Sequence, residues 1–334
     1  MSVPEPAAPF LSVVVPCYNE REVLPETARR LTSLLASLIE AKAVREDSHV
    51  CFVDDGSTDE TWSIIESLSE ASPRVRGIKL TRNRGHQNAL LAGLFNAPGN
   101  VVVTIDADLQ DDPDAIAAMV RAHQGGSQIV YGVRKRRDVD SRFKRWTAIF
   151  YYRLLKLMGV ELVFNHADYR LMSRAAIEAL HEYGETNLFL RGIIPQLGFR
   201  SSTVEYDRGK RFAGESKYPL KDMLALAVQG VTSFSTAPLR VITVLGLFVS
   251  VLSCGFTVWA LIARFVAPNV VPGWASTVIP IYFLGGIQLL CIGVVGEYLA
   301  KTYMETKRRP RFTIEKQTGR PHAAAGGGSE RGAG

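Results

Sequence analysis

The sequence predicts an α/β fold: a mostly parallel β-sheet with helices on both faces, followed by a two-helix transmembrane hairpin. Short apolar segments alternate with amphipathic helical segments through roughly the first 130 residues, which indicates parallel strands joined by helices. Near the carboxyl terminus, two apolar stretches each exceed the roughly 20 residues that cross a bilayer as a helix. A chain of 334 residues accommodates one large domain and this second part.

The first part of the chain alternates strand and helix in order. Apolar runs predict strands at 11–15, 50–53, 76–80, 101–105 and 128–131. Helices are predicted at 23–40, from about Thr58, and at 86–96, 113–123 and 143–158. Ser57 and Glu60 have the spacing of a capping box, which places the start of the second helix at about Thr58. One face of the first helix is apolar, formed by Leu31, Leu34, Leu35, Leu38 and Ile39.

The two apolar stretches, at about 241–265 and 274–299, are predicted to span a membrane, and the charged residues around them predict their orientation. The first contains no charge over 241–263, and the link to the second is short. Arg240 precedes the pair and a basic cluster at 301–311 follows it, so the positive-inside rule predicts that both termini are cytoplasmic. The predicted location is the inner (plasma) membrane, with the bulk of the chain in the cytoplasm. No signal peptide is recognisable at the amino terminus.

Five segments are therefore expected. Residues 1–9 form a flexible amino terminus and 10–210 a cytoplasmic catalytic domain. Residues 211–240 form juxtamembrane amphipathic helices, including one at 219–234 that is expected on the inner leaflet or against the domain. Residues 241–300 hold the two spans, and 301–334 form a basic and then disordered tail.

Several classes of protein are excluded by composition and motif. The net charge of +6 comes with basic clusters but no nucleic-acid-binding motif, so no nucleic-acid partner is expected. The four cysteines form no C-x-x-C pair, which argues against a zinc site or a disulfide framework. Neither G-x-G-x-x-G nor G-x-x-x-x-G-K-[ST] occurs, so a dinucleotide oxidoreductase and a P-loop NTPase are disfavoured.

Polar segments follow four of the predicted strands, at 16–20, 54–59, 83–88 and 106–112. In a parallel sheet these segments share one edge, where ligands bind in open α/β folds. Asp106 and Asp108 are two residues apart, and hard oxygen ligands at this spacing suit Mg²⁺ or Mn²⁺. Asp54 can accept hydrogen bonds from a base or ribose, and Gly56 and Gly85 permit close backbone approach. Together the segments predict a nucleotide pocket.

The segments VVVPCYNE, VDDGSTDET, NRGHQNAL and IDADLQDDP, in this order, resemble the GT-A (Rossmann-like) fold of family 2 glycosyltransferases. YGVRKRRDVDS, ADYRLMSR and RFAGESKYPL, followed by two spans, resemble the polyprenyl-phosphate glycosyltransferases. That group includes bacterial undecaprenyl-phosphate glucosyltransferases and dolichyl-phosphate mannose synthase. The resemblance extends over about residues 10–310.

The resemblance implies an inverting transfer of a hexose from a nucleotide sugar to a polyprenyl phosphate at the cytoplasmic membrane face. UDP-glucose and undecaprenyl or decaprenyl phosphate are the expected substrates, and the product would serve cell-envelope glycosylation. Mg²⁺ or Mn²⁺ is the implied cofactor, and relatives suggest a homotetramer. GDP-mannose remains an alternative donor.

The resemblance also assigns residues. It implies metal ligands at Asp106, Asp108 and Gln110. Donor-nucleotide contacts are implied at Pro16, Tyr18, Glu20, Asp54, Asp55, Gly85, Gln87 and Asp106. Acceptor-phosphate contacts are implied at Arg134, Arg145, Arg211, Ser216 and Lys217. The catalytic set is Asp168, Asp108 and Arg134, where Asp168 acts either as a general base or as a positioning residue, since a phosphate nucleophile is already anionic.

Two other classes of protein are possible alternatives. A processive polysaccharide synthase of the same superfamily carries Q-x-x-R-W, but position 142 here is Arg, and two spans cannot form a polymer channel. A non-catalytic membrane scaffold with a GT-A-like domain has no reason to keep Asp106, Asp108, Gln110, Asp168 and Arg134 together. His86 and His166 are interpreted as polar loop residues.

Overall fold

The computed structural model describes residues 8–135, 166–185, 190–207, 237–266 and 274–319. These residues form two compact units, one built on a β-sheet and one containing two long helices. The described strands are β1 (Leu11–Cys17), β2 (His49–Asp54), β3 (Val75–Leu80), β4 (Val101–Thr104), β5 (Ile129–Arg134), β6 (His166–Ser173), β7 (Ser201–Tyr206) and β8 (Ile314–Thr318). The described helices are α1 (Leu24–Glu40), α2 (Thr61–Ala71), α3 (His86–Asn96), α4 (Ala115–Gln124), α5 (Arg174–His181), α6 (Leu190–Gln196), α7 (Ala237–Val266) and α8 (Trp274–Thr306).

The described strands form one sheet in the order β7-β5-β6-β4-β1-β2-β3-β8. At its centre β1 runs parallel to β2 and to β4, and β3 runs parallel to β2. Every residue of β1, β2 and β4 is buried, as expected for parallel strands covered by helices on both faces. The predicted α/β fold with a mostly parallel sheet is confirmed, and the carboxyl ends of these four strands share one edge.

Strand β6 brings a distant part of the chain to this edge. It runs antiparallel between β4 and β5, so its amino-terminal half lies beside the carboxyl end of β4. Thr104 at that end pairs with Arg170, and its hydroxyl donates a hydrogen bond to the carbonyl of Asp168 at 2.6 Å. This pairing, which the sequence did not predict, places Asp168 close to Asp106.

Helices α1 and α3 pack closely against the sheet. The predicted apolar face of α1 is confirmed, because Leu31, Leu35 and Leu38 are buried and Leu34 and Ile39 pack against the same core. On α3, a Cβ at Gly93 would lie 2.2 Å from Val14 on β1, so only glycine fits at this contact. The close approach fixes α3, whose first residue is His86, over the centre of the sheet.

The capping box predicted at the start of α2 is wrong. The helix begins at Thr61, and the side chain of its N-cap residue, Glu60, makes no capping hydrogen bond. The Ser57 hydroxyl instead accepts a hydrogen bond from the backbone N–H of Asn19 at 2.9 Å. Asp59 accepts bonds from the backbone N–H of Thr61 at 3.0 Å and from its hydroxyl at 2.6 Å. Ser57 therefore joins two loops rather than starting a helix.

The chain after α8 returns to the sheet. Strand β8 pairs antiparallel with β3 at the sheet edge. Two ion pairs support it, Lys79 with Glu315 at 3.1 Å and Lys316 with Glu66 at 2.5 Å. The sequence predicted no strand in this basic segment, because β8 is held by backbone pairing and ion pairs and lacks an apolar pattern.

The second unit contains α7 and α8. Among the described residues, one helical segment, Phe283–Thr306, is long and apolar enough to cross a membrane, and α7 contains a shorter apolar segment, Leu239–Val249. Both helices expose large apolar side chains, such as Phe248 at 63% and Leu289 at 73%. The two-helix hairpin is therefore not confirmed. The helices predicted at 143–158 and 219–234 lie outside the described residues.

Candidate functional site

A cleft of about 290 Å³ opens at the carboxyl ends of the parallel strands. The loops that follow β1, β2, β3 and β4 form its walls, and these are the four polar segments that the sequence places at one edge. Of the residues predicted to contact the donor nucleotide, six line the cleft and two, Asp54 and Gln87, do not. The lining residues are Pro16, Cys17, Tyr18, Glu20, Asp55, Asn83, Gly85, His86, Ala89, Asp106, Ala107 and Asp108.

The loops after β1 and β2 are fastened to each other. Asn19 has a φ of 55°, in the left-handed region that asparagine tolerates better than most residues. Its side-chain oxygen accepts a hydrogen bond from the backbone N–H of Thr58 at 2.9 Å. The backbone N–H of Glu20 donates to the Thr61 hydroxyl at 2.9 Å. These bonds present Tyr18, which is 44% exposed, and Glu20 on the cleft wall.

Asp54 and Asp55 have different surroundings. The two carboxylate oxygens of Asp55 accept hydrogen bonds from the backbone N–H groups of Arg84 at 2.7 Å and Gly85 at 2.9 Å. Asp54 is fully buried, and one of its oxygens accepts a bond from the backbone N–H of Ser57 at 3.1 Å. Burial raises the pKa of both carboxyl groups, although these hydrogen bonds oppose the shift. Asp55 thus joins the loops after β2 and β3.

Two glycines in these loops serve different purposes. A Cβ at Gly56, whose φ is 67°, would lie 2.5 Å from the backbone of Arg82, so a side chain cannot fit there. Gly85 has a φ of 88°, and a Cβ there would meet nothing within 4 Å. Gly56 therefore permits the two loops to pack, whereas Gly85 leaves open space in the cleft for a ligand.

The start of α3 connects the cleft to more distant segments. The side-chain oxygen of Gln87 accepts a hydrogen bond from the backbone N–H of Leu190 at 3.0 Å, which attaches α6 to this loop. His86 lies between two carboxylates: its Nε2 atom is 3.5 Å from Asp106 Oδ1 and 3.8 Å from Asp168 Oδ2. The sequence predicts a polar loop residue at His86, whereas the structure places it at the start of α3, in the cleft lining and between two predicted site residues.

Asp106 has an oxygen without a hydrogen-bond partner among the described residues. This Oδ1 atom is buried, while 36% of the side-chain surface remains exposed in the cleft. Burial raises the pKa of the carboxyl group to about 6, against the attraction of His86. Among the described residues, His86 Nε2 is 3.5 Å from this oxygen, and its attraction does not offset the burial of the carboxyl group.

Asp108 is held by its neighbour Gln110. The Gln110 side-chain amide donates to Asp108 Oδ2 at 2.7 Å, and the Gln110 backbone N–H donates to Oδ1 at 3.2 Å. Leu109 between them has a φ of 55°, an uncommon value for a branched side chain, which turns the loop sharply. Gln110 is buried and is not part of the cleft wall, so the structure brings it to Asp108 rather than into the cleft.

Two of the predicted metal ligands have the chemistry that a divalent cation requires. Within the described residues, no group of three or more His, Cys, Asp or Glu side chains is arranged to hold a metal ion. Asp106 and Asp108 nevertheless both face the cleft with hard oxygen donors, and the unpartnered Asp106 oxygen fits a cation. The protein thus offers two carboxylates, as in sites where a magnesium-like ion also takes substrate phosphates and water.

Asp168 is enclosed by arginines. It forms an ion pair with the buried guanidinium of Arg170, and Arg191 donates to both of its oxygens at 3.3 and 3.1 Å. Although burial alone raises the pKa of the Asp168 carboxyl, Arg170 and Arg191 hold it well below its usual range. Asp168 is therefore an ionised carboxylate that forms ion pairs with two arginines.

Arg134 is held in a similar way at the end of β5. Its Nη2 atom lies 3.1 Å from Asp111 Oδ1, and its Nε donates to the Tyr206 hydroxyl at 3.2 Å. The Tyr206 hydroxyl in turn donates to Asp111 at 2.5 Å. Asp111 is 2% exposed, whereas 26% of the Arg134 side chain is exposed. The buried carboxylate thus fixes a part-exposed guanidinium.

Four predicted acceptor-phosphate residues lie outside the described residues: Arg145, Arg211, Ser216 and Lys217. The side chains that hold Asp168 and Arg134 were not predicted; these include Asp111, Arg170, Arg191 and Tyr206. Asp111 belongs to the same acidic loop as Asp108, which is a usable sequence signal, and Arg170 is two residues from Asp168. No local pattern marks Arg191 or Tyr206, because their partners are far away in the sequence.

Comparison with known proteins places these observations in a family. Residues 12–180 match the model of glycosyl transferase family 2. The uncharacterized glycosyltransferase YkoT of Bacillus subtilis (strain 168) is 49% identical over 309 residues, 92% of this chain and 91% of that protein. The bactoprenol glucosyl transferase of Shigella phage SfII is 41% identical over 92% of this chain and 97% of that protein. The prophage bactoprenol glucosyl transferase homolog of Escherichia coli (strain K12) is 39% identical over 92% and 98%.

Proposed function

Because the chain belongs to glycosyltransferase family 2 and is a glycosyltransferase, we propose that it transfers a hexose from a nucleotide sugar to a polyprenyl phosphate. The relatives named for bactoprenol glucosyl transfer support glucose, with UDP-glucose as donor and undecaprenyl or decaprenyl phosphate as acceptor. The anomeric carbon inverts, and the product supplies cell-envelope glycosylation. The observation that carries the proposal is the cleft at the carboxyl ends of the parallel strands, whose lining includes the carboxylates of Asp106 and Asp108 together with Tyr18, Glu20 and Gly85.

The donor nucleotide binds over the loops after β1 and β2. Pro16, Tyr18 and Glu20 line this part of the cleft, and the exposed Tyr18 ring offers a face on which a base can stack. Asp55 accepts a hydrogen bond from the backbone N–H of Gly85 and so fixes its position. The open space at Gly85 accommodates a phosphate. Asp54 and Gln87 act here as supports for the loops rather than as direct contacts.

Asp106 and Asp108 are the residues that hold a divalent cation, Mg²⁺ or Mn²⁺. The unpartnered oxygen of Asp106 supports this assignment, since a cation would compensate a buried negative charge. Gln110 keeps Asp108 oriented through its two hydrogen bonds. When bound, such an ion stabilises the negative charge that develops on a diphosphate leaving group.

The acceptor phosphate is positioned by arginine. Arg134 presents a planar guanidinium that suits phosphate, and Asp111 and Tyr206 restrict its orientation. A phosphate monoester is largely ionised near neutral pH, so its attack on the anomeric carbon needs orientation more than deprotonation. Arg145, Arg211, Ser216 and Lys217 remain further candidates for this role.

The acceptor is a lipid, so the second unit anchors the enzyme in the membrane. Phe283–Thr306 crosses it, and α7 provides the other span of the proposed hairpin. Both termini and the sheet-containing unit are cytoplasmic, as the basic residues Lys307, Arg308 and Arg309 after α8 support. The five-segment organisation of the sequence and a homotetrameric assembly belong to the same proposal.

A donor screen on the purified full-length protein tests the function. Radiolabelled UDP-glucose, UDP-galactose, UDP-N-acetylglucosamine and GDP-mannose are each incubated with undecaprenyl phosphate, with Mg²⁺, with Mn²⁺ or with a chelator. We expect metal-dependent label in the lipid phase from UDP-glucose. Label from GDP-mannose alone would replace glucosyl by mannosyl transfer, and the absence of lipid label from every donor would overturn the acceptor assignment.

A further inference from the structure

Thr27, near the start of α1, bonds to the loop that carries Asp106 and Asp108 and has no assigned role. We propose that Thr27 is a positioning residue for the divalent cation. Its hydroxyl fixes the backbone carbonyl of Ala107, and thereby the relative placement of the carboxylates on either side, Asp106 and Asp108. The inference rests on the proposed function, because it concerns the cation that these two carboxylates are proposed to hold.

The acidic loop depends on individual contacts for its position. Residues 105–114 connect β4 to α4 and form neither helix nor strand, so no regular backbone ladder holds them. Two side-chain hydroxyls from other elements bond to carbonyls of this loop. Thr27 on α1 donates to Ala107 at 2.7 Å, and Tyr169 on β6 donates to Asp112 at 2.9 Å. Only the Thr27 bond falls between the two proposed ligands.

The Thr27 hydroxyl serves the loop rather than its own helix. A hydroxyl has one hydrogen to donate, and two carbonyls are near: Ala107 at 2.7 Å and Val23 at 3.1 Å. The Val23 carbonyl already accepts the backbone N–H of Thr27 at 3.0 Å. The distance to Ala107 is the usual one for an O–H···O bond, about 2.7 Å. The hydroxyl proton is therefore assigned to the Ala107 carbonyl.

Helix α1 is a rigid support for this hydroxyl. Its buried face is apolar apart from Thr27, and the neighbouring Leu24, Ala28 and Leu31 belong to the core beneath the sheet-facing side. A buried polar side chain on such a face requires a partner, and the acidic loop supplies it. Threonine is β-branched, so few rotamers are open to its hydroxyl in a helix. The donor is thus held in place before any ligand arrives.

The Ala107 carbonyl controls where Asp108 begins. The peptide unit that joins the two residues is planar, so its oxygen and the Cα atom of Asp108 lie in one rigid plane. A bond that fixes the oxygen therefore restricts the Asp108 backbone. Asp106 is anchored from the other side, since the backbone N–H of Ile105 donates to a carbonyl of β1 at 3.1 Å. Thr27 accordingly sets one carboxylate relative to the other.

Burial makes the bond consequential. Thr27 is 1% exposed and Ala107 is 4% exposed, so little water reaches this contact. Without the hydroxyl, the Ala107 carbonyl loses a donor in a place where an unsatisfied polar group is unfavourable. A shift of the loop that relieved this would displace the adjacent carboxylates. Oxygen ligands of Mg²⁺ and similar ions tolerate little displacement, because the ion demands near-ideal geometry.

The test compares Thr27→Val and Thr27→Ser with Thr32→Val in the full-length protein. Thr27→Val replaces the hydroxyl by a methyl group of similar size, and Thr27→Ser keeps the hydroxyl. Thr32 is a matched control on the same helix, because its hydroxyl donates to the Ala28 carbonyl at 2.6 Å and not to the acidic loop. Electron paramagnetic resonance measures Mn²⁺ binding with and without UDP or GDP. Binding of the same nucleotides in EDTA and denaturant unfolding are measured in parallel.

We expect Thr27→Val to weaken Mn²⁺ binding by about 5- to 30-fold, the range expected when a buried hydrogen bond is lost. Nucleotide binding in EDTA should stay within twofold of wild type, and saturating Mn²⁺ should restore most of the sugar transfer. Thr27→Ser should stay within about threefold, and Thr32→Val within twofold, in Mn²⁺ binding.

A merely structural role would give a different pattern. Lower unfolding stability in Thr27→Val with wild-type Mn²⁺ binding would overturn the proposal. An equal loss of Mn²⁺ and of nucleotide binding in EDTA would also overturn it, because the whole cleft would then be disturbed. If Thr27→Val does not fold, Thr27→Ala, which also lacks the hydroxyl, decides by the same criteria.

The second anchor of the loop tests whether the place of the bond matters. Tyr169→Phe removes the hydroxyl that holds Asp112, which lies beyond the proposed ligands along the chain. It should weaken Mn²⁺ binding by less than about threefold. A loss equal to that of Thr27→Val would show that any anchor of the loop suffices, and would overturn the specific role of Thr27.

Metal binding separates this inference from the proposed function. If the wild-type protein transfers no sugar to lipid, the proposed function fails. Mn²⁺ binding that is lost in Asp106→Asn and weakened in Thr27→Val would still support the role of Thr27. A wild-type protein that binds no Mn²⁺, with or without nucleotide, would overturn that role, since there would be no cation to position.

Discussion

Asp106 and Asp168 border the same histidine, yet their carboxylates have opposite electrostatic surroundings. His86 Nε2 is 3.5 Å from Asp106 and 3.8 Å from Asp168. Burial raises the pKa of Asp106 to about 6, and one of its oxygens has no hydrogen-bond partner among the described residues. For Asp168 burial acts in the same direction, but Arg170 and Arg191 outweigh it and lower the pKa.

The difference lies in the number of guanidinium groups. Two arginines at contact distance compensate the desolvation of Asp168, whereas a histidine at 3.5 Å does not compensate that of Asp106. The same residue type is thus paired with two arginines at position 168, whereas at position 106 it faces a histidine at 3.5 Å. We infer that Asp168 contributes to stability and to the placement of arginine, and that Asp106 is kept for a cation.

The largest expected effect is a loss of activity on substitution of Asp106. Asp106→Asn should lower turnover by at least about 1,000-fold, because it removes a charge that the metal and diphosphate require. Thermal stability in EDTA should stay the same or rise, since the substitution removes an unpaired carboxylate. Added Mn²⁺ should raise the melting temperature of the wild type but not that of Asp106→Asn. Sugar transfer and thermal unfolding are the two measurements.

Asp114→Asn provides a matched control. Asp114 is an exposed carboxylate in the same acidic loop and does not line the cleft, so both its activity and its response to Mn²⁺ should be those of the wild type. Full activity in Asp106→Asn would contradict the assignment of Asp106 to the metal site.

The next largest effect is a loss of folding stability on substitution of Asp168. Asp168→Asn leaves the buried Arg170 without its carboxylate, and removal of one partner of a buried ion pair costs about 3 kcal/mol or more. Denaturant unfolding monitored on the sheet-containing unit measures this loss. Asp47→Asn, which breaks an exposed pair with Arg45, should cost less than about 1 kcal/mol. Equal stability of the two variants would remove the contrast between Asp106 and Asp168.

The central sheet could be predicted because its signals are local. Strands β1, β2 and β4 are buried on both faces, so each reads as a continuous apolar run. Strand β8 has the polar sequence IEKQT and depends on pairing with β3 and on ion pairs to residues more than 200 positions away. No local pattern specifies such a partner, which is why this strand was missed.

In the candidate site, as in the sheet, the features with local sequence signals were predicted and those that depend on distant partners were not. Short polar segments after successive strands predicted the cleft, because parallel strands bring their carboxyl ends to one edge. The residues that hold the site together were not predicted. Tyr206 meets Asp111 across 95 positions, and Arg191 meets Asp168 across 23. An arginine or tyrosine in a polar segment carries no sign of its distant partner, so these contacts required the structure.

Arg134 offers a second carboxylate–arginine pair with which to sharpen the comparison. Arg134→Ala should raise the acceptor KM by about 10- to 30-fold and the donor KM much less, since a charged hydrogen bond to phosphate is lost. Lys135→Ala, at the adjacent exposed residue, is the matched control and should change neither constant appreciably. Equal increases in the two constants would argue against a role specific to the acceptor phosphate.

The smallest effect is expected at Tyr206, which supports Arg134 without carrying charge. Tyr206→Phe removes the hydroxyl that lies 3.2 Å from Arg134 and 2.5 Å from Asp111, but it leaves the ion pair between these two residues intact. The loss of a neutral support should raise the acceptor KM by only about 3- to 5-fold. If Tyr206→Phe instead matched Arg134→Ala, the hydroxyl rather than the carboxylate would be the group that orients Arg134. Asp111 would then differ from Asp168, whose two oxygens both accept hydrogen bonds from Arg191.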